Sequence, residues 1–418
     1  MAFESKLGGV RGDLIDQWEK APVVLRASEG APAMPVERVW SLVAGGGQAR
    51  REGGAKALSM RFWVDRTEPV KIEEYLPGRE HPTVGSYLEA LKGRVGERDF
   101  TLVINGAQAL SRELYLDLRT FLAPLTARVG LAVAETAIYL SRSRRTVFGV
   151  HCDESANFLF VAYGTKRFRL WPREVLDAHP HLKHSLEYGE IMGQSTLVEL
   201  AAGDLLYMPA GCYHVAEAEG EVGMHFSLGI RIEPGLSRSM VEQAAARAVA
   251  KRLRTVPSVP FLAAETGQNA ARLPPPLAEG SSALAGGFAD EIERALVEQW
   301  AKFVSSGGFL VVPPTLPEAP LADAATLRLA GGFPLVFDVR GDDLLVAAHG
   351  HALQLPAHPA VVALLGRLNE GRPWRAGALI AEHAGEVVVD GVAYEADAEG
   401  LRSLLQSLVA LGALEASG

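Results

Sequence analysis

A mainly β chain with added α-helices, built on a double-stranded β-helix or jelly-roll barrel, is the fold class that three observations predict. Between Leu131 and Arg231 the sequence breaks into short strand-like runs (VAETAIYLS, STLVEL, GDLLYMP, HVAEAEG, MHFSLGIR) separated by brief turn signals. Many short antiparallel strands at such spacing read as a double-sheet jelly roll. After Pro234 the hydrophobic period changes to that of helices, as in SRSMVEQAAARAVAKRLR and ADEIERALVEQWAKFV, and the last stretch mixes a hairpin with three helices. These shifts divide the chain into a jelly-roll domain at 1–235, a helical region at 236–308 and a winged-helix-like domain at 309–418.

Taken in order, Asp13 to Lys20 reads as a short helix with Asp13 as N-cap, followed by the strand PVVLR. Val36 to Val43 reads as a helix and Gly45 to Gly54 as a flexible loop that fits neither a phosphate-binding loop nor a dinucleotide fingerprint. The strands LSMRFWV and TLVING follow. Ser111 to Ala123 is amphipathic, with Leu114, Leu118, Phe121 and Leu122 on one face and Pro124 closing the helix. Beyond the barrel, LPPPLAEGSSALAGG is a Pro/Gly/Ser-rich connection. LVFDVRGDDLLVAA is a hairpin over Gly341-Asp342, one residue off the ideal two-residue turn. Its third domain is a poor nucleic-acid reader, because EADAEGLRSLLQSLVAL carries too few basic residues to track phosphates.

The stretch VFGVHCDESANFLFVAYGTKRFRLWP, Val147 to Pro172, carries the chemistry. On a strand, alternate side chains share a face, so His151 and Asp153 point together and Cys152 points away. One imidazole and one carboxylate on one wall are two-thirds of a 2-His-1-carboxylate facial triad, which binds Fe(II) with open positions left over. Alone, the pair also fits a surface strand with a hydrogen-bonded histidine. The segment GDLLYMPAGCYH then delivers His214 at the start of a strand, where it can supply a third ligand. The triplet His179, His181 and His184 reads instead as a solvated loop, since no acidic or Cys partner completes a ligand set. Lys166 shares a strand face with Phe168 and Leu170, so it points into an apolar interior and calls for a counter-anion.

Composition excludes several classes. The net charge of −9 over 418 residues argues against a broad nucleic-acid or anionic-membrane footprint, while it admits a basic peptide as partner. Two cysteines, Cys152 and Cys212, make no disulfide framework and point to a reducing cytoplasm. No apolar run reaches transmembrane length.

VHCDESANFLFVAYGTKRFRLWP, GDLLYMPAGCYHVAEA and MHFSLGIR together resemble the JmjC/cupin group of Fe(II)- and 2-oxoglutarate-dependent oxygenases, most of all the ribosomal oxygenases. The resemblance runs from about Ile138 to Arg231. It implies Fe(II) held by His151, Asp153 and His214, and 2-oxoglutarate as cosubstrate, its distal carboxylate on Lys166, fifteen residues after the first His. It places Tyr139 of AIYLS and Asn157 against the cosubstrate. His225 stands where many relatives have Asn, and it reads as a hydrogen-bonding pocket residue, because a fourth protein ligand would block cosubstrate or O₂. The implied reaction is hydroxylation coupled to decarboxylation of 2-oxoglutarate to succinate. The implied partner is a protein or peptide substrate, such as a ribosomal protein, with no direct nucleic acid and no membrane.

The segment Arg142, Ser143, Arg144, Arg145 departs from the family's Pro/Gly-rich loop, and leaves room for a ribosomally made peptide or a small metabolite as substrate. Demethylation of N-methyl groups uses the same iron chemistry, and a non-oxidative cupin remains the reading from another class. The resemblance also implies a helical dimerisation region at 236–308. There Ile292, Leu296 and Trp300 recur on one helical face, which suits a homodimer or packing on the chain's own barrel.

Overall fold

The computed structural model describes residues 7–53, 58–142, 148–217, 220–233, 235–254, 256, 275–389 and 392–417. The N-terminal part holds α1 (Gly12–Asp16), β1 (Val23–Leu25), α2 (Val36–Arg51), β2 (Ser59–Val64), α3 (Val84–Val95), β3 (Phe100–Asn105) and α4 (Arg112–Val129). Then follow β4 (Val133–Arg142), β5 (His151–Cys152), β6 (Ala156–Tyr163), β7 (Thr165–Trp171), α5 (Arg173–Ala178), β8 (Thr196–Ala201), β9 (Leu205–Met208), β10 (Tyr213–Glu217) and β11 (Gly223–Arg231).

These strands form two antiparallel sheets. The larger has the order β1-β9-β6-β11-β4-β3-β2 and the smaller β5-β10-β7-β8. Alternation along each strand sorts the side chains. Met224, Phe226, Leu228 and Ile230 of β11 join Trp40, Leu118 and Phe121 of the helices in the main core. The opposite face of the large sheet packs Leu159, Val161, Leu206 and Met208 against Phe168, Leu170 and Leu200 of the small sheet. That second, thinner layer encloses the polar residues treated below.

Several local expectations need correction. The first helix is shorter than Asp13–Lys20 and takes Arg11 as N-cap, with Asp13 inside the first turn. The glycines expected to loop after Val43 instead extend α2 to Arg51. A Cβ on Gly46 would lie 2.7 Å from Met60 Cε, and one on Gly47 2.2 Å from the Pro77 carbonyl oxygen, so both are small because the helix packs closely there. Gly54 of that expected loop lies outside the described residues.

Helix α4 is capped by Ser111, whose side chain accepts from Leu114 N, but it runs through Pro124 instead of closing there. An interior proline costs about 3 kcal/mol in a helix. Burial of Leu125 beyond it and close approach of Gly9 to the proline ring hold the last turn in place.

Past the sheets come α6 (Leu236–Leu253), α7 (Pro275–Ala283) and α8 (Phe288–Ser306). The helix α7 occupies part of the Pro-rich stretch expected to be a connection. Prolines at the start of a helix cost little, since the first-turn N–H groups have no intrahelical partner.

The C-terminal part adds β12 (Thr326–Leu329), β13 (Val336–Arg340), β14 (Asp343–Ala348), β15 (His351–Pro356), α9 (Pro359–Leu368), β16 (Trp374–Arg375), α10 (Ala376–His383), β17 (Gly385–Val389), β18 (Val392–Ala396), α11 (Ala398–Ala410) and β19 (Leu414–Ser417). Its helices and strands bury a core of their own, including Leu327, Leu364, Leu379 and Leu405. Arg340 pairs with Asp343, so the β13–β14 turn is a true two-residue one, with Gly341 at φ 56°. Among the described residues no helix is long and apolar enough to cross a membrane.

Candidate metal centre

Strands β5 and β10 pair so that His151 and His214 are direct cross-strand partners. Their rings lie 4.4 Å apart between centroids. Asp153 follows β5 immediately, and its backbone oxygen accepts from Gly211 N at 2.8 Å, which ties the two ligand-bearing segments together. His151 Nε2 is 3.8 Å from Asp153 Oδ1, and His214 Nε2 is 4.0 Å from Asp153 Oδ2. One potential ligand atom from each residue lies within 4.8 Å of the other two; no other such His/Cys/Asp/Glu group occurs among the described residues.

The protonation pattern follows from the backbone. His151 Nδ1 donates to the Gly149 carbonyl at 2.9 Å and His214 Nδ1 to the Cys212 carbonyl at 3.0 Å. A carbonyl only accepts, so in each neutral ring the proton sits on Nδ1 and the Nε2 lone pair is left to face Asp153. Burial, then neighbouring His151, pulls the His214 pKa below the ordinary imidazole range, which favours that neutral ring.

Asn157, expected against a cosubstrate, lies on the Asp153 carboxylate. Its Nδ2 donates to Asp153 Oδ2 at 2.8 Å and to the Ser155 carbonyl at 3.1 Å. Its Oδ1 accepts from Ser227 Oγ at 3.3 Å.

Deeper between the sheets, Lys166 is 2 % exposed and its Nζ donates to Ser141 Oγ at 2.7 Å. Among the described residues it has no carboxylate partner, and burial pushes its pKa down to about 8. Tyr139 and His225 are register partners on β4 and β11, and their rings stack at 4.8 Å, 9° from parallel. Burial pushes the Tyr139 pKa up to about 12 and drives that of His225 well below the ordinary range, Lys166 adding to the latter. Among the described residues, His225 Nδ1 is buried with no hydrogen-bond partner. Phe168 lies between, its ring 6.3 Å from that of His214 and 5.9 Å from that of His225.

The cysteines stay out of the cluster. Cys152 is exposed, and burial, with Cys152 and Asp153 adding, lifts the Cys212 thiol to about 11. Of the surface histidines, His179 bonds the Val175 carbonyl and His181 the Glu190 carboxylate, as a solvated segment does. Arg142 donates to the carbonyls of Gly96 and Arg98, whereas Ser143, Arg144 and Arg145 lie outside the described residues. Sequence reasoning missed Ser141, although its position two residues after Tyr139 puts it on the same strand face.

A cavity of about 380 Å³ opens beside Asp153 and Tyr139, walled in part by Leu310 and Val311 from beyond α8. The donor set, two imidazoles and a carboxylate whose ligand atoms lie within 4.8 Å of one another, suits one small cation. The buried cation of Lys166 and the orphaned nitrogen of His225 suit an anionic, hydrogen-bonding organic ligand behind it.

Residues 119–236 match the family model of the JmjC domain. An X-ray structure of E. coli YcfD shares the fold over 100% of both chains, at 18% identity and a TM-score of 0.51. A second structure of YcfD, described as a ribosomal oxygenase, does so over the same span at 18% identity and 0.50. YcfD in complex with cobalt and 2-oxoglutarate aligns over 98% of this chain and 99% of its own, at 19% identity and a TM-score of 0.50. No curated protein sequence matches the chain. The stretch matched by the JmjC-domain model, residues 119–236, contains the whole His151, Asp153, His214 cluster, within a full-length fold shared with E. coli YcfD.

Proposed function

We propose that the protein is an Fe(II)- and 2-oxoglutarate-dependent oxygenase that hydroxylates a side chain within a protein or peptide. The observation that carries this reading is the pairing of a His151, Asp153, His214 cluster with Lys166, a buried cation lacking a carboxylate partner among the described residues. A non-oxidative cupin has no use for that lysine. The cobalt and 2-oxoglutarate bound by the fold neighbour YcfD support the same assignment.

In this reading His151 and His214 give their Nε2 lone pairs and Asp153 a carboxylate oxygen to Fe(II). Bound together, Fe(II) and 2-oxoglutarate supply oxidation of a C–H bond by O₂, coupled to decarboxylation of the keto acid to succinate. Lys166 pairs with the distal carboxylate, Ser141 orients the ammonium, and Tyr139 and His225 form the wall against which the cosubstrate packs. Asn157 holds Asp153 in one rotamer, as hydrogen-bonded outer residues do for metal carboxylates. The apolar residues Phe168, Leu170 and Val161 keep the space dry, which strengthens the lysine–carboxylate pairing.

A polypeptide substrate, a ribosomal protein or a peptide of similar basic character, is supported by the cavity wall, which recruits Leu310 and Val311 from outside the JmjC domain. The reading includes a homodimer through α8, where Leu296 packs on the chain's own barrel side and Trp300 stays 50% exposed. It also includes a cytoplasmic setting, which the two free cysteines suit.

The test is metal analysis and succinate formation on purified protein. Wild type should hold about one Fe(II) per chain, and Asp153→Ala or His214→Ala should lose most of that affinity, since a three-ligand set has none to spare. Full iron retention by Asp153→Ala sinks the triad. A +16 Da shift confined to metabolites, when the enzyme is given host lysate, sinks the polypeptide substrate.

A further inference from the structure

The cavity beside Asp153 does not end at the cluster. A second cavity, of about 450 Å³, shares Val133 and Leu310 with it, so the two make one trough that runs from Asp153 to the α6 and α8 helices. Each lies within the ~300–1,000 Å³ that houses a whole small ligand. Their junction is Leu310, 65% exposed.

Leu310 is held there by its neighbours. The Gly308 carbonyl accepts from Ala134 N at 3.0 Å and the Val311 carbonyl from Gln108 Nε2 at 2.8 Å. Gln108 is itself 1% exposed, and its Oε1 accepts from Thr136 Oγ1 at 2.5 Å. With Phe309 buried, the backbone on both sides is tied down and the leucine side chain is presented to solvent on a fixed support. Single exposed leucines are ordinary on protein surfaces. One fixed at the waist of a concave trough is preorganised for contact, which lowers the ordering cost of binding.

The trough also has a charge pattern. Arg231 and Lys302 in its outer part are neutralised by Glu233 and Glu298. Glu135, at the inner end, and Arg247, at the outer end, are exposed, and among the described residues neither has an ion pair. Gly229, the register partner of Glu135, makes room for that carboxylate. A Cβ there would lie 3.3 Å from Glu135 Cγ and 3.2 Å from both Ser155 Oγ and Asn157 Oδ1.

We infer that this trough docks an extended polypeptide bearing a cationic side chain beside its target residue, an apolar one over Leu310 and an acidic one at Arg247. The inference rests on the oxygenase reading of the metal centre and adds the flanking chemistry by which a substrate is chosen. Glu135 and Arg247 line different cavities of the trough, so their complement is a chain with separated charges, not a compact metabolite.

The experiment measures fluorescence anisotropy of full-length protein with labelled pools of short, otherwise degenerate peptides. In one pool a central leucine has lysine on one side and glutamate on the other, in both chain directions. In the second pool glutamate replaces the lysine, and in the third serine replaces the leucine. The first pool should bind best. Glu135→Lys should weaken it about tenfold or more and raise binding of the second, because the inner charge is inverted. Leu310→Ser should weaken the first pool about tenfold and remove its advantage over the third. Equal binding of the three pools, or an unchanged charge preference in Glu135→Lys, overturns the inference. Since Glu135 is exposed, that variant answers even if Leu310→Ser folds poorly. Iron stoichiometry of wild type, measured apart, reports on the oxygenase reading alone. Iron bound with undiscriminated pools removes only the trough, and discriminated pools without iron remove only the oxygenase.

Discussion

The two faces of the large sheet share every strand and every backbone hydrogen bond, yet they are built to opposite ends. Along β11, Met224, Phe226, Leu228 and Ile230 face the helices and are all apolar. Their neighbours His225, Ser227 and Gly229 face the small sheet, and two of these are buried polar residues. Buried polar groups without full partners cost about 1–3 kcal/mol each. The helix-side face therefore supplies the stability that lets its reverse hold an orphaned imidazole nitrogen and a lysine with no carboxylate partner among the described residues. What separates core from site in this fold is the parity of a residue along one strand.

The strongest way to break the comparison is at adjacent residues. Phe226 is completely buried against Phe160 and its neighbours, so Phe226→Ala should cost about 3–5 kcal/mol, by lost transfer energy and the cavity left behind. Ser227→Ala, one residue on, removes only a long hydrogen bond to Asn157 and should cost roughly 1 kcal/mol or less. Urea unfolding of both variants checks this. Similar costs at the two positions would mean that the site face contributes to stability as the core does.

Lys166 should show the opposite sign. Its folded pKa of about 8 lies below the usual lysine value, so the unfolded chain binds more protons between about pH 8 and 10.5. Below that window the charged lysine destabilises the ligand-free fold by about 3 kcal/mol. The penalty is relieved as pH rises through it. Lys166→Met should therefore raise the melting temperature at pH 7, and its advantage over wild type should shrink towards pH 10. The same variant should raise the 2-oxoglutarate requirement for succinate formation while iron stays bound. A melting temperature that falls at pH 7 would show that the Ser141 bond already compensates the charge.

The alternation that separates these faces was also the part most legible in the sequence. The strands around the cluster, the shared parity of His151 and Asp153, the inward lysine and the helices α6, α8, α9, α10 and α11 all follow from period and spacing. What stayed hidden depends on partners distant in sequence. Gly46 and Gly47 look like a loop until Met60 and Pro77 are seen packed on them. Pro124 looks like a helix end until Leu125 is seen buried beyond it. The 308–312 segment carries no motif, and only the bond from Gln108, some two hundred residues earlier, shows why it walls the cavity. Asn157 was legible as a polar residue facing the site, but its partner was not, because the turn after β5 brings Asp153 back over it.

That partner makes the smallest and most discriminating test. If Asn157 serves to hold Asp153, then Asn157→Ala frees the carboxylate to rotate. Iron affinity should fall about 10–100-fold, or roughly 1.4–2.8 kcal/mol, as for other residues that orient metal ligands. The 2-oxoglutarate requirement, measured at saturating iron, should barely move. The contrary result, iron affinity unchanged and 2-oxoglutarate requirement raised, would assign Asn157 to the cosubstrate and leave Asp153 held by its neighbours alone. Asn157→Asp sharpens the choice. It keeps the size of the side chain but sets a second carboxylate 2.8 Å from Asp153, at the position now held by the amide nitrogen. Two like charges at that distance resist joint ionisation. The aspartate variant should thus bind iron more weakly than the alanine variant near neutral pH if the asparagine amide is what fixes the ligand.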